Sequence, residues 1–171
     1  MKPVIEFQAH DSHVGAVKYT PDGKYLISAG MDALIQFWDT STWQNTHTLK
    51  AHEKSVNALA FSHDGTQFAS GSTDNDIRLW AYPALTENQI LRSHRNTIAD
   101  MDFSHDGKYL SSCSYDTKVK LWEVASGSLI FTFEQHLKNV SAVAFSVDDQ
   151  FLASGGIGGD IMVMDIPGGN L

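Results

Sequence analysis

The sequence predicts an all-β fold made of four copies of one unit, and three observations predict it. One pattern returns with a constant step of 42 residues: His10, His52, His94 and His136; Tyr19, Phe61, Phe103 and Phe145; Asp22, Asp64, Asp106 and Asp148; Ser28, Ser70, Ser112 and Ser154. Within each copy, short runs alternate apolar and polar residues with period two. No long 3.6-period stretch interrupts them.

The elements follow in order from the His. A first strand carries Val14, Val17 and Tyr19 in copy one and Val56, Leu59 and Phe61 in copy two. A turn follows at Pro21-Asp22-Gly23, His63-Asp64-Gly65 and His105-Asp106-Gly107, where Asp bonds the backbone and Gly accepts positive φ. Copy four reads Val147-Asp148-Asp149, so its turn is expected to be strained. A second strand, such as Gln67-Phe68-Ala69-Ser70, leads to another turn. The third strand alternates apolar residues at Ile35 and Phe37, Ile77 and Leu79, Val119 and Leu121, and Ile161 and Val163. A fourth places Leu49, Leu91 and Phe133 three residues before the next His, and Phe7 shares that phase. The units are therefore 10–51, 52–93, 94–135 and 136–166. Residues 3–9 are expected to be an outer strand that closes the last sheet of the same or another chain.

Composition narrows the function. The 171 residues, 42% hydrophobic and 19% charged, suit a globular domain with a real core. No apolar run approaches the roughly 18 residues of a membrane helix, and no signal-peptide pattern opens the chain. No membrane association and a cytoplasmic location are expected. A single cysteine, Cys113, excludes an internal disulfide and offers no thiolate metal framework. A net charge of −8 argues against nucleic acid as a partner.

The repeats, with Ala9-His10, Asp32 and Trp38-Asp39, and then Ala51-His52, Asp74 and Trp80, resemble the WD-repeat family of β-propellers. The resemblance covers essentially the whole chain. It implies a β-propeller of four-stranded antiparallel blades, one blade per repeat, around a central channel. It also implies a buried tetrad in each blade: His10, Ser28, Asp32 and Trp38; His52, Ser70, Asp74 and Trp80; His94, Ser112, Asp116 and Trp122. The indole donates, Ser relays, and Asp fixes the imidazole tautomer. Copy four has His136 and Ser154, but Gly158 and Met164 stand where Asp and Trp are expected. Its network is expected not to close, leaving blade four the softest.

Propellers of this kind act as rigid protein-binding platforms, so a non-catalytic protein or peptide scaffold is expected. The family's contact positions fall on the face built from the loops before each first strand and the turns between second and third strands. They correspond to Met31, Thr73, Tyr115 and Ile157, to His13, Ser55, Thr97 and Asn139, and to Gly15, Asn57, Ala99 and Ser141. The candidate contacts among these are His13, Met31, Asn57, Thr73, Thr97, Tyr115, Asn139 and Ile157, with Met31, Tyr115, Ile157 and His13 offering the most contact area.

Ser, His and Asp invite a hydrolase, but a catalytic triad occurs once and this set recurs in phase with a Trp attached; no catalytic residues are assigned. His10-x-x-His13 lacks a third ligand, and neither metal nor cofactor is expected. His47, His63 and His105 are expected to be solvated. Cys113 is expected to be a buried, inert thiol. Asp100 and Asp102, with Lys18, are expected on a solvated channel wall, the one place where a small-molecule enzyme would find charged groups. Trp43 lies on a turn, where it either packs on its own blade or anchors a partner. Four blades are too few to close comfortably, so the four repeats are expected to be half of an eight-bladed ring. A homodimer that exchanges its first strand is one solution, and half of a larger propeller is the alternative.

Overall fold

The computed structural model describes residues 4–166, and they form four antiparallel sheets in chain order. Blade one comprises β1 (Val14–Tyr19), β2 (Tyr25–Gly30), β3 (Leu34–Asp39) and β4 (Asn45–Lys50). Blade two comprises β5 (Val56–Phe61), β6 (Gln67–Ser72), β7 (Asp76–Ala81) and β8 (Glu87–Arg92). Blade three comprises β9 (Ile98–Phe103), β10 (Tyr109–Ser114), β11 (Val119–Glu123) and β12 (Leu129–Phe133). Blade four comprises β13 (Val140–Phe145), β14 (Phe151–Gly156) and β15 (Ile161–Asp165). Each strand pairs with its sequence neighbour, a meander whose short connections need no crossover. No described residue is helical.

The turn after each first strand is built by four recurring residues. Thr20, Ser62, Ser104 and Ser146 donate their hydroxyls to Asp22, Asp64, Asp106 and Asp148, and each hydroxyl oxygen accepts the N–H that opens the next strand. These hydroxyl donations hold the Asp22, Asp64 and Asp148 carboxyls below the usual carboxylate range. Gly23, Gly65 and Gly107 take φ near +70°, and in blade four Asp149 sits at φ 56°. The expected strain is there, and hydrogen bonds offset it. The Asp149 carboxylate accepts the backbone N–H groups of His105 and Asp106 at 2.8 and 2.9 Å.

The core lies between blades. Ile35 and Phe37 of blade one pack against Val56, Leu59, Phe68 and Trp80 of blade two. Ile77 and Leu79 meet Ile98, Met101, Phe103 and Trp122, and Val119 and Leu121 meet Val140, Val143, Phe145 and Met164. The first strands β1, β5, β9 and β13 are successive neighbours. Blades one to three thus bury their third-strand apolars under the blade that follows, which is why the period-two pattern repeats so strictly.

Within the single chain, residues 4–9 are not a strand. Phe7 instead lies on Trp38, with ring centroids 4.6 Å apart, and near Trp43 at 6.4 Å. Trp43 is thereby half-buried on its own blade. Residue 3 and residues 167–171 lie outside the described residues.

Candidate protein-binding face

The tetrads are the frame on which the loop face rests. In blades one to three the indole N–H donates to the Ser hydroxyl at 2.8–2.9 Å. The hydroxyl donates to His Nε2 at 2.7–2.9 Å, and His Nδ1–H donates to the Asp carboxylate at 2.8–2.9 Å. Every donor points the same way along the chain, so only the neutral Nδ1–H imidazole satisfies all four groups. Burial pushes the His52 imidazole towards that neutral form against the pull of Asp74. Burial alone would raise the Asp116 carboxyl, but the His94 hydrogen bond and the N–H groups of Arg95 and Lys118 outweigh it and hold the group at about 2. The tetrad Asp therefore bonds both loops of the face: Asp74 accepts from Glu53 and Asp76, Asp116 from Arg95 and Lys118.

Blade four corrects the expectation of an open network. His136 Nδ1 meets Asp160 Oδ2 at 2.8 Å, and its Nε2 meets Ser154 Oγ at 2.8 Å. The carboxylate has moved two residues along the turn, and Gly158 makes room for it, because a Cβ there would strike Asp160 Oδ1. Met164 fills the indole position without a donor. The Asp160 side chain is 44% exposed against 9% for Asp116, so this network is wetter rather than broken.

An acid limb follows from Asp116. Its folded pKa of about 2 lies below the unfolded value of 3.8, so its contribution is complete above 3.8 and vanishes as pH falls towards 2. The difference amounts to about 2 kcal/mol. Denaturant titrations between pH 4.5 and 2 (a range of about 2.5 units) are expected to show Asp116→Asn less stable at the top and flatter with pH than the parent chain. Parallel profiles would contradict the assignment.

Backbone bonds then join the two loop sets. Met31 N–H donates to His13 O, Thr73 to Ser55, Tyr115 to Thr97 and Ile157 to Asn139, all at 2.9–3.0 Å. Each blade thus presents one residue pair side by side. The Asn57 amide reaches Thr73 Oγ1 at 2.9 Å, bringing the third set of positions to the same rim. Met31, Tyr115 and Ile157 are 52%, 41% and 66% exposed, and His13 is exposed beside Met31. Leu137, in the neighbouring loop of blade four, is 93% exposed and was not singled out in the sequence. The face is a row of apolar side chains spaced by small polar ones on a rigid base.

Asp100 and Asp102 do not stand free on a channel wall. Asp100 Oδ2 accepts the Val143 N–H at 3.2 Å and Asp102 Oδ2 the Phe145 N–H at 2.8 Å, so both staple blade three to β13. Burial raises both carboxyls, and those N–H groups only partly compensate. His63 and His105 are exposed but stack on each other at 4.0 Å. Cys113 is fully buried, and burial pushes its thiol far up, as an inert site requires. No group of three or more metal-ligating side chains is gathered among the described residues.

The chain is similar to known proteins in sequence and in fold. The family model described as "WD domain, G-beta repeat" matches residues 1–39, 43–81, 85–123 and 127–165. An uncharacterised WD repeat-containing protein of Acanthamoeba polyphaga mimivirus is 41% identical over 39 residues, 23% of this chain and 30% of that protein. The solved structure of U3-55K superposes with a TM-score of 0.86 at 26% identity, covering 94% of this chain. The chain spans about half (51%) of the U3-55K chain and less than a third of the viral relative.

Proposed function

The chain belongs to the WD-repeat family of β-propellers, and we propose that it is a non-catalytic scaffold that takes a protein or peptide partner on its loop face. Propellers of this family typically serve as protein-interaction scaffolds and are generally non-catalytic. The observation that carries the reading here is the apolar row Met31, Tyr115 and Ile157, held out to solvent by backbone bonds to His13, Thr97 and Asn139. Exposed apolar and aromatic side chains on a rigid frame are what interface cores are made of. Met31→Ala combined with Tyr115→Ala is expected to weaken partner capture about tenfold or more, while the melting curve stays within about 0.5 kcal/mol of the parent. Full capture by this variant, with loss on Trp43→Ala, would move the site off the face.

A second observation favours assembly. Ile161 and Val163 of β15 are 79% and 64% exposed, although the matching Ile35, Phe37, Ile77, Leu79, Val119 and Leu121 are at most 1% exposed. On blade one, Val17 and Tyr19 are 55% and 60% exposed, although Leu59, Met101, Val143 and the aromatic Phe103 are nearly covered. The two bare faces are the two halves of the junction that the chain makes three times internally. A second copy fits both at once: blade one of each protomer on blade four of the other, with residues 4–7 as the strand exchanged onto β15. Light scattering is then expected to give about twice the 18.8 kDa chain mass. Ile161→Asp with Val163→Asp is expected to return it to monomer. A parent chain that is already a monodisperse monomer would remove the dimer, leaving the faces to other blades.

A further inference from the structure

We propose that a pocket on blade three binds an oxyanion, the carboxylate or phosphate group of a peptide seated on the adjoining loop face. The pocket encloses about 550 Å³ and is lined by Arg95, Lys118, Lys120, Thr132, Asp116 and Glu134 among others. Lys120 is 94% buried (6% exposed), and its ammonium has one partner, Thr132 Oγ1 at 3.1 Å. An ammonium whose one hydrogen bond within the protein goes to a neutral hydroxyl keeps two donors for a ligand.

The two carboxylates in the pocket are already engaged. Asp116 Oδ2 takes His94 Nδ1–H and the Arg95 N–H, and its Oδ1 takes the Lys118 N–H. Glu134 pairs with Lys118 at 3.4 Å. Among the described residues the Arg95 guanidinium has no hydrogen-bond or ion-pair partner. Arg95 and Lys120 therefore remain for a ligand, one exposed at the mouth and one buried at the base.

The other blades show that these cations are not part of the common frame. In blade two the position of Lys120 holds Arg78, which is neutralised by Glu87 at 2.6 Å. Blade three has Leu129 where that Glu stands, and the cation has lost its counter-charge. The position of Arg95 holds Asp11 and Glu53 in blades one and two, and that of Lys118 holds Asp76 in blade two. The local charge is thus reversed to basic in a chain whose net charge is −8. Burial lowers the Lys120 pKa against the pull of Asp116 and Glu134, while Lys118 and Arg95 lower it further. An entering oxyanion would relieve that crowding and accept from both free cations, bidentate at the guanidinium. The mouth residue Arg95 lies two positions before Thr97, whose carbonyl holds Tyr115, so the pocket opens beside the loop face.

The pocket's affinity for an anion does not rest on the scaffold reading; only the peptide source does. The test titrates the full chain, at low salt, with inorganic phosphate and separately with N-acetylglutamate, by calorimetry and by the Lys side-chain NMR signals. Saturable binding of either is expected, weakening with added salt. Lys120→Met copies the residue of blade four and Arg95→Glu that of blade two, so each suits this fold. Each is expected to weaken binding about tenfold or more. In the absence of anion, Lys120→Met is expected to melt no lower than the parent, whereas a purely structural lysine would lower it. A phosphoserine peptide and its glutamate counterpart then compare the two oxyanions on a peptide. No saturable binding of phosphate or N-acetylglutamate, or unchanged binding in both variants, would overturn the pocket. Loss of peptide capture on Met31→Ala with Tyr115→Ala, with phosphate binding retained, would support both readings; capture unaffected by that pair but lost in Arg95→Glu would overturn the loop-face seat.

Discussion

Alanine at His52 is expected to lower the unfolding free energy by about 3 kcal/mol, and alanine at His136 by about half as much. His52 bridges two groups: it accepts the Ser70 hydroxyl proton and donates to the Asp74 carboxylate. Its removal leaves the Ser70 hydroxyl without its acceptor, the Asp74 carboxylate without its ring donor, and an imidazole-sized void under a side chain of zero exposure. Each orphaned buried group costs about 1–3 kcal/mol. At His136 the same two bonds are lost, but Asp160 is 44% exposed and water replaces its donor. Met164 also contributes no indole bond to the network. Trp80→Phe, which keeps the bulk and removes only the Nε1 donor to Ser70, is expected to fall between them. Guanidinium titrations with unchanged slope would measure all three. A loss at His136 equal to that at His52 would mean that the tetrads act as packing alone.

Removing both staple carboxylates, Asp100→Ala with Asp102→Ala, is expected to cost about 3 kcal/mol, because the Val143 and Phe145 N–H groups then lie at the blade junction without acceptors. Asparagine at both positions behaves differently. Its amide oxygen still accepts, and it carries no charge to desolvate. The sign is set by the raised pKa values: the penalty for ionising Asp100 and Asp102 in the fold is absent below 3.8 and complete above their folded values. At neutral pH the double Asn variant is therefore expected to match or exceed the parent. Equal losses for Asn and Ala would show that charge, rather than the acceptor, holds the junction. The two carboxyl classes also oppose each other on acidification. Asp74 and Asp116 lose their contribution, while the staples shed a penalty.

The constant 42-residue step and the turn residues were legible because their causes are local. Asp22, Asp64 and Asp106 bond hydroxyls and N–H groups within a few residues, and Gly23, Gly65 and Gly107 provide the positive φ. Strand order follows from that regular register, and the resemblance to the WD-repeat family implied the tetrads of blades one to three and the contact positions on the loops. Four departures were not legible. Asp160 replaces the missing tetrad Asp from two residues downstream, and the only signal was an Asp in the same turn after Gly158-Gly159. Asp149 looked like a flawed turn, and Asp100 and Asp102 like channel charges, because their partners lie 43 or 44 residues away on a neighbouring blade. Lys120 stands out only against the Arg78–Glu87 ion pair of blade two, a contact across strands that blade three lacks because Leu129 replaces the Glu.

By itself, then, the sequence determined the unit, its strands and its turns, and its resemblance to the WD-repeat family implied the buried tetrads of blades one to three and the contact positions on the loops. Only the tertiary structure decided what happens between units. A period-two pattern says that Ile35, Ile77, Val119 and Ile161 each face a blade-sized apolar neighbour. Whether that neighbour is there depends on the next blade, which covers the first three completely and leaves Ile161 79% exposed. Local bonds are written in residue order, whereas burial, carboxylate desolvation and charge crowding are set by whichever distant strand packs alongside.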